Sequence, residues 1–471
     1  MLMSEVGRGK RPPPSTRMGA TAVVAAVSAL LIGLQIAAVH RGFQGPLHSL
    51  ISDYVATPKS ATLPWAGLGL ALVGLTNRHR LVALGLAAGV DAVFAAERVL
   101  RGGALTIGNG PLIVLTGLAV LAGLRWSGTE RRAALGAAGW GMLLIVASKA
   151  ADTWLRITAI SRPRVLDEYA MLADHAFAQP SWLVGRVIDA AGPIPYAVLH
   201  WVYIELPVAA MVVAVYQLRN VTVDGWPRHH LMRTFMVLGL IGPLIYLVFP
   251  VVGPIYAFGA DGHGWQIANY WPHILPPAGF APHALPFDDV TPRNCMPSMH
   301  VGWALLVFIH SRRGPRQLRW GGAVWLAATV AATLGFGYHY GVDLVAGAVL
   351  CLTVEAAVRD PQRGWGARRI GLVAGGATFL AILLLCYRYL AAAMAQLPLL
   401  FGPVILGALA VFVAAFFAWP AGVKLASLST PQLKPAAGAA PRISGGAAPP
   451  VPAHDRWAPS PSARRGQSRH G

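Results

Sequence analysis

An all-α, polytopic membrane protein with about twelve transmembrane helices is the fold class that this sequence predicts. Three observations carry the prediction. Of 471 residues, 55% are hydrophobic and only 12% charged, about half the charge of a soluble domain. The apolar residues gather in long stretches, most of them near the roughly 20 residues that cross a bilayer as helix. The chain also holds 15 Trp, 36 Pro and 52 Gly, as in helical membrane proteins, where aromatics mark the interfaces and helix breakers are tolerated. The formal net charge of +19 would suggest nucleic acid in a soluble domain. Here the basic residues fall in short loops and tails, where they set topology, and no nucleic-acid partner is expected.

Residues 1–18 are basic and carry three consecutive prolines at 12–14. They are expected to be a disordered cytoplasmic tail. Gly19–Val39 is the first apolar stretch. A basic start and an Ala-rich end would also fit a signal peptide, but its apolar run is long for one and a retained helix is expected. Further apolar segments lie near 61–76, 81–98, 104–124, 133–155, 193–218, 231–250, 296–311, 320–338, 341–358, 370–390 and 398–422. Asp91 and Glu97 interrupt the one at 81–98. Residues 19–132 are thus N-terminal membrane helices, 133–358 a six-helix core, and 359–426 a C-terminal membrane part. Residues 427–471 are rich in Ala, Pro, Ser and Arg and read as a disordered cytoplasmic tail.

With the N-terminus inside, the inner loops collect Arg78 and Arg80; Arg125, Arg131 and Arg132; Arg219, Arg228 and Arg233; Arg312, Arg313, Arg316 and Arg319; and Arg359, Arg363, Arg368 and Arg369. The long outer loop 251–295 has one basic residue, Arg293. This bias places both termini in the cytoplasm. Residues 156–192, with charges among apolar residues, read as amphipathic helices lying on the outer membrane surface. The Pro- and aromatic-rich loop 251–295 suits a cap over an outer site. Ala-, Arg- and Gly-rich usage suggests a GC-rich bacterial genome, hence a bacterial plasma membrane.

Two short polar runs stand out: Thr291-Pro-Arg-Asn-Cys-Met-Pro-Ser-Met-His300 and Gly337-Tyr-His-Tyr-Gly-Val-Asp343. Polar groups at membrane depth cost several kcal/mol unless paired or solvated. Their presence at the ends of apolar segments points to function. His339 and Asp343 are four apart, the spacing of one helix face. A carboxylate there would hold one ring nitrogen and leave the other free to attack. His300 would protonate a leaving oxygen, and Arg293 would clamp phosphate with its planar fork. Ser298 lacks the Gly-flanked elbow of a hydrolase nucleophile. Cys295, Cys351 and Cys386 are widely spaced, with no metal-ligand pattern, and Cys295 is given no role. No metal or cofactor is expected, since His, Arg and helix N-termini can supply the charge.

These runs resemble the second and third signature motifs of the type 2 phosphatidic acid phosphatase (PAP2) superfamily, related to the vanadium haloperoxidases. Pro297-Ser298-Met299-His300 resembles the Pro-Ser-Gly-His motif, with Met for Gly. His339-x-x-x-Asp343 matches the end of the third motif, but Thr333 and Leu334 stand where the family carries Ser-Arg. That departure, with Pro292-Arg293-Asn294, resembles the branch of inositol phosphorylceramide synthase and the sphingomyelin synthases. Lys149-x6-Arg156 resembles the first motif, with Ile157 for Pro, but lies two spans early.

The resemblance implies His339 as nucleophile through a phosphohistidine, Asp343 as its orienting carboxylate, and His300 as acid and then base. Arg293, Ser298, Asn294, Lys149 and Arg156 are candidate phosphate or substrate contacts. The expected partners are a lipid phosphate or phospholipid substrate and a lipid or polyol alcohol acceptor. Hydrolysis and headgroup transfer differ only in whether water or an alcohol attacks, and the missing Ser-Arg favours transfer slightly. A transporter and an inactive scaffold are the alternatives from other classes.

Overall fold

The computed structural model describes residues 14–258, 279–359 and 364–418, and these are helical nearly throughout. The tail 427–471, the first thirteen residues of the N-terminal tail and the middle of the capping loop, 259–278, lie outside the described residues.

The N-terminal part runs through α1 (Pro14–His40), α2 (Pro46–Val55), α3 (Thr62–Leu72), α4 (Asn77–Leu100), α5 (Asn109–Leu124) and the long α6 (Gly128–Ser161). A Cβ on Gly67 of α3 would stand 2.9 Å from the Gly141 carbonyl of α6, so small residues let the two backbones touch. Asp91, which interrupts its apolar segment, folds the α4–α5 loop. Its carboxylate accepts from the Gly108 and Gly110 N–H groups at 2.9 and 2.7 Å and from Trp65 Nε1 at 3.1 Å.

Beyond α6 the chain forms β1 (Arg164–Val165), α7 (Asp167–Asp174), a 3₁₀ turn (His175–Phe177) and α8 (Pro180–Ala191). It continues through α9 (Pro193–Ile204), α10 (Leu206–Leu218), α11 (Val221–Asp224), α12 (Leu231–Val248), α13 (Pro254–Ala257) and β2 (Leu285–Pro286). Then follow α14 (Met299–Ser311), α15 (Arg316–Gly335), α16 (Gly341–Val358), α17 (Ala367–Tyr389), α18 (Ala391–Gln396) and α19 (Pro398–Phe417). β1 pairs antiparallel with β2, tying the loop after α6 to the loop before α14.

Each apolar segment read from the sequence falls on a helix, and 193–218 on the pair α9 and α10, bent by 57°. Twelve full spans do not follow. Among the described residues five helices suffice by length and composition to cross a membrane (α6, α12, α16, α17 and α19), or six spans if the bent pair is one. The shortfall has physical causes. α3, with 11 residues, and α14, with 13, rise only about 16 and 20 Å against a hydrocarbon core of about 30 Å. α4 carries five charged residues, and α15 opens on Arg316, Gln317 and Arg319, which lower its mean hydropathy.

Within the segment 156–192, α7 departs from the surface-helix expectation, whereas α8 keeps Leu183 and Val187 exposed. α7 is buried, including Asp167, Glu168 and Asp174. Its acidic side chains accept backbone N–H groups: Val252 and Gly253 on Asp167, His283 on Glu168, and Val342 on Asp174. Read in one dimension, these carboxylates looked like a solvated face. In the fold they satisfy loop backbone that has no other partner.

At the other end of α14 and α16 a second polar knot closes the bundle. Glu355 is fully buried. Its carboxylate takes His229 Nε2 at 3.0 Å, His310 Nε2 at 3.4 Å and the Thr234 hydroxyl at 2.6 Å. The Gln217 side-chain oxygen accepts the Leu231 N–H, which turns its amide nitrogen toward His310 Nδ1 at 2.9 Å. His310 then presents its Nε2–H to Glu355. With Arg359 Nε 3.7 Å from the same carboxylate, this is a hydrogen-bonded anion joining α10, α12, α14 and α16. Glu355→Ala would orphan these donors and is expected to cost about 3–5 kcal/mol, read as a fall in unfolding temperature in detergent, with Glu355→Gln losing less.

Candidate active site

The site forms where the start of α14 meets the start of α16. Ser298 caps α14, its hydroxyl accepting the Val301 N–H at 3.4 Å, which sets His300 in the first turn. Asp343 caps α16 from within. Its Oδ2 accepts the Tyr340 N–H at 2.8 Å while its own N–H donates to the Tyr340 carbonyl at 3.1 Å. His339 therefore lies in the turn before α16 and not on it. The pair meets because a capping carboxylate reaches back to the residue after the histidine, not because both share a helix face. His339 Nδ1 stands 3.4 Å from Asp343 Oδ2.

The two helix starts are locked together. The Ser298 N–H donates to the Asp343 carbonyl at 3.0 Å. A Cβ on Gly347 would collide with the Ser298 carbonyl, so only glycine allows this approach. The His339 backbone is fixed on both sides: its N–H donates to the Thr333 carbonyl at 3.2 Å, and the Ser181 hydroxyl donates to its carbonyl at 2.5 Å. Thr333, one of the two residues at the family's Ser-Arg position, thus contributes backbone here. Its hydroxyl is turned to the Thr329 carbonyl of α15 at 2.6 Å.

The imidazoles of His300 and His339 face each other edge to face, with centroids 6.5 Å apart. Tyr203 of α9 stacks on His300 at 4.0 Å and an interplanar angle of 16°. Tyr338 lies 5.0 Å from Tyr203. Burial pushes the His339 imidazole down to about 4, so at neutral pH the ring is uncharged and holds a lone pair.

Of the eight residues singled out in the sequence, His300, Ser298, His339 and Asp343 come together here. Of the other four, Arg293 and Lys149 have other partners. Arg293 is buried, and its guanidinium donates to three backbone carbonyls: Arg162 at 3.0 Å, Thr291 at 2.5 Å, and Asp288. One donor on each of its three nitrogens thus ties the loop before α14 to the end of α6, which gives the side chain a structural task there. Lys149 is buried in an ion pair with Asp53 of α2. Arg156 of α6 and Asn294 are half-buried and make no hydrogen bond or ion pair among the described residues.

Residues the sequence reading passed over complete the site. Cys295, given no role there, places Sγ 2.6 Å from Asp343 Oδ2 and 3.4 Å from His339 Nδ1. Asp167 accepts the Tyr340 hydroxyl at 2.9 Å as well as the Val252 and Gly253 N–H groups. Asp174 accepts the Val342 N–H at 3.0 Å in the first turn of α16. Cys295 gave a signal by lying in the same short run as His300. Asp167, Asp174 and Tyr203 gave none, because only the folded chain brings them to this turn.

Residues 176–357 match the family model of the PAP2 superfamily. Residues 18–157 match a domain of unknown function, DUF5933. No curated protein and no solved structure matches the chain. His300, His339 and Asp343 fall inside the PAP2 match, whereas Lys149 and Arg156 fall inside the other. Residues 176–357 thus carry the PAP2 likeness, and with it support for a lipid phosphatase- or phosphotransferase-type enzyme, in a chain whose apolar helices are consistent with a multi-pass membrane protein.

Proposed function

We propose that the chain transfers the phosphate-bearing headgroup of a lipid through a phosphohistidine on His339, at the extracytoplasmic face of a bacterial plasma membrane. The observation that carries this reading is the buried pairing of His339 Nδ1 with Asp343 Oδ2 at 3.4 Å, opposite His300. It leaves Nε2 as the attacking atom. In the first step the Nε2 lone pair forms the N–P bond, the P–O bond to the leaving alcohol breaks, and His300 gives that oxygen a proton. In the second, His300 takes a proton from the incoming hydroxyl, an O–P bond forms and the N–P bond breaks. Asp343 offsets the positive charge that the ring gains while phosphorylated.

A lipid or polyol alcohol is the preferred acceptor, as in the inositol phosphorylceramide and sphingomyelin synthase branch. Thr333 and Leu334 in place of Ser-Arg support this. Water as acceptor would make the same site a phosphatase for phosphatidic acid or a polyprenyl phosphate. Purified protein incubated with ³²P-labelled lipid phosphates and phosphodiesters is expected to acquire an acid-labile, base-stable label that His339→Ala lacks. Released phosphate then marks hydrolysis, and a new labelled lipid marks transfer. Label retained by His339→Ala would sink the reading.

A further inference from the structure

We infer that Cys295 is a positioning residue whose thiol bridges His339 and Asp343 and sets how strongly the carboxylate acts on the nucleophile. The inference rests on the phosphohistidine reading. The direct Nδ1 to Oδ2 separation of 3.4 Å exceeds the usual N–H···O range of about 2.7–3.2 Å. Sulfur stands beside both atoms, 2.6 Å from Oδ2 and 3.4 Å from Nδ1, so that the three close a triangle. The thiol carries one proton. Its nearest acceptor is the carboxylate, with the Tyr338 carbonyl farther off at 3.2 Å. S–H therefore donates to Oδ2, and the sulfur lone pairs face Nδ1–H. Asp343 Oδ2 already holds the Tyr340 N–H, so two donors hold the carboxylate beside the imidazole and compete with Nδ1–H for the same oxygen.

The thiol is not free to swing away. The Cys295 N–H donates to the Val251 carbonyl at 3.1 Å. The residue is buried, and Gly253, at φ +101°, packs beside it, where a Cβ would stand 3.3 Å from Sγ. Burial pushes the thiol up and keeps it protonated. A side chain without a donor at 295 would release Oδ2 toward Nδ1–H. A direct ion pair favours the charged ring, and a nucleophilic histidine must be uncharged. Activity is present above the histidine's pKa and lost as pH falls through it, so the acid limb of kcat/KM would move to higher pH.

The test is the pH dependence of kcat/KM on dioctanoyl phosphatidic acid in detergent micelles, for wild type, Cys295→Ser, Cys295→Val and His339→Ala. The same titration is followed through histidine ring ¹⁵N shifts, assigned with His339→Ala, which needs no turnover. Serine restores the donor without the volume, and valine restores the volume without the donor. Serine is expected to keep the wild-type limb, and valine to raise it by about one pH unit. If valine keeps the limb and serine does not, sulfur is packing only and the inference falls. Should the valine variant fail to accumulate, Cys295→Ala carries the same test, an unchanged titration overturning the inference. Full activity in His339→Ala would instead overturn the function on which it rests.

Discussion

His339→Ala is expected to lose turnover by at least about 10³-fold, because no other group can form the N–P bond. The loss should be independent of the leaving alcohol. His300→Gln behaves differently: it removes proton transfer while leaving the nucleophile intact, and is expected to cost about 10²–10⁴-fold. That cost should shrink for a substrate with an acidic leaving group, such as a nitrophenyl phosphate, whose oxygen departs without a proton. The geometry separates the two roles. His339 has Nδ1 turned to Asp343 and Cys295, whereas His300 stacks on Tyr203 and has no carboxylate partner among the described residues. Below about pH 4 the wild type should lose activity as well, since the His339 ring charges there. Comparing both variants on natural and activated substrates checks the assignment. A leaving-group-dependent loss in His339→Ala would reverse the roles.

The helices were legible from apolar stretches, and so was the meeting of His300, His339 and Asp343. His300, His339 and Asp343 are short-range motifs whose spacing survives in one dimension. Three features were not legible, for one reason: they depend on what a side chain is used for. Arg293 has the composition of a phosphate clamp, but the loop from Asp288 to Thr291 and the end of α6 present carbonyls that take one donor from each of its three nitrogens. Lys149 has the spacing of a first motif, but Asp53, far earlier in the chain, neutralises it. Asp167 and Asp174 looked like solvent-facing charges in a mixed-polarity segment. The span count failed differently. α14 begins with the cap that sets His300, and the site thereby takes residues that a full-length span would need.

Asp167 is where the site is most exposed to loss. Its buried carboxylate holds the Val252 and Gly253 N–H groups at 3.1 and 2.9 Å and the Tyr340 hydroxyl at 2.9 Å. Tyr340 directly follows His339, so one side chain fixes both the loop before α13 and the turn that carries His339. Asp167→Ala would leave three buried donors without an acceptor, and a loss of about 3–5 kcal/mol is expected, with turnover falling in parallel. The pH dependence carries more information. Burial pushes Asp167 up to about 7 against the pull of its three donors, while in the unfolded chain it titrates near its ordinary value of about 4. Between these values the folded state holds a proton that the unfolded state has released, so stability falls as pH rises from about 4 to 7. The contribution is complete below the lower value and gone above the upper one. Asp167→Asn removes the titration and keeps one acceptor oxygen. It should therefore be destabilising at pH 4–5, yet lose little further as pH rises to 7.5. Unfolding temperatures in detergent across that range, wild type against Asp167→Asn, decide it. Parallel curves would mean that Asp167 stays ionised throughout and that its three donors outweigh its burial.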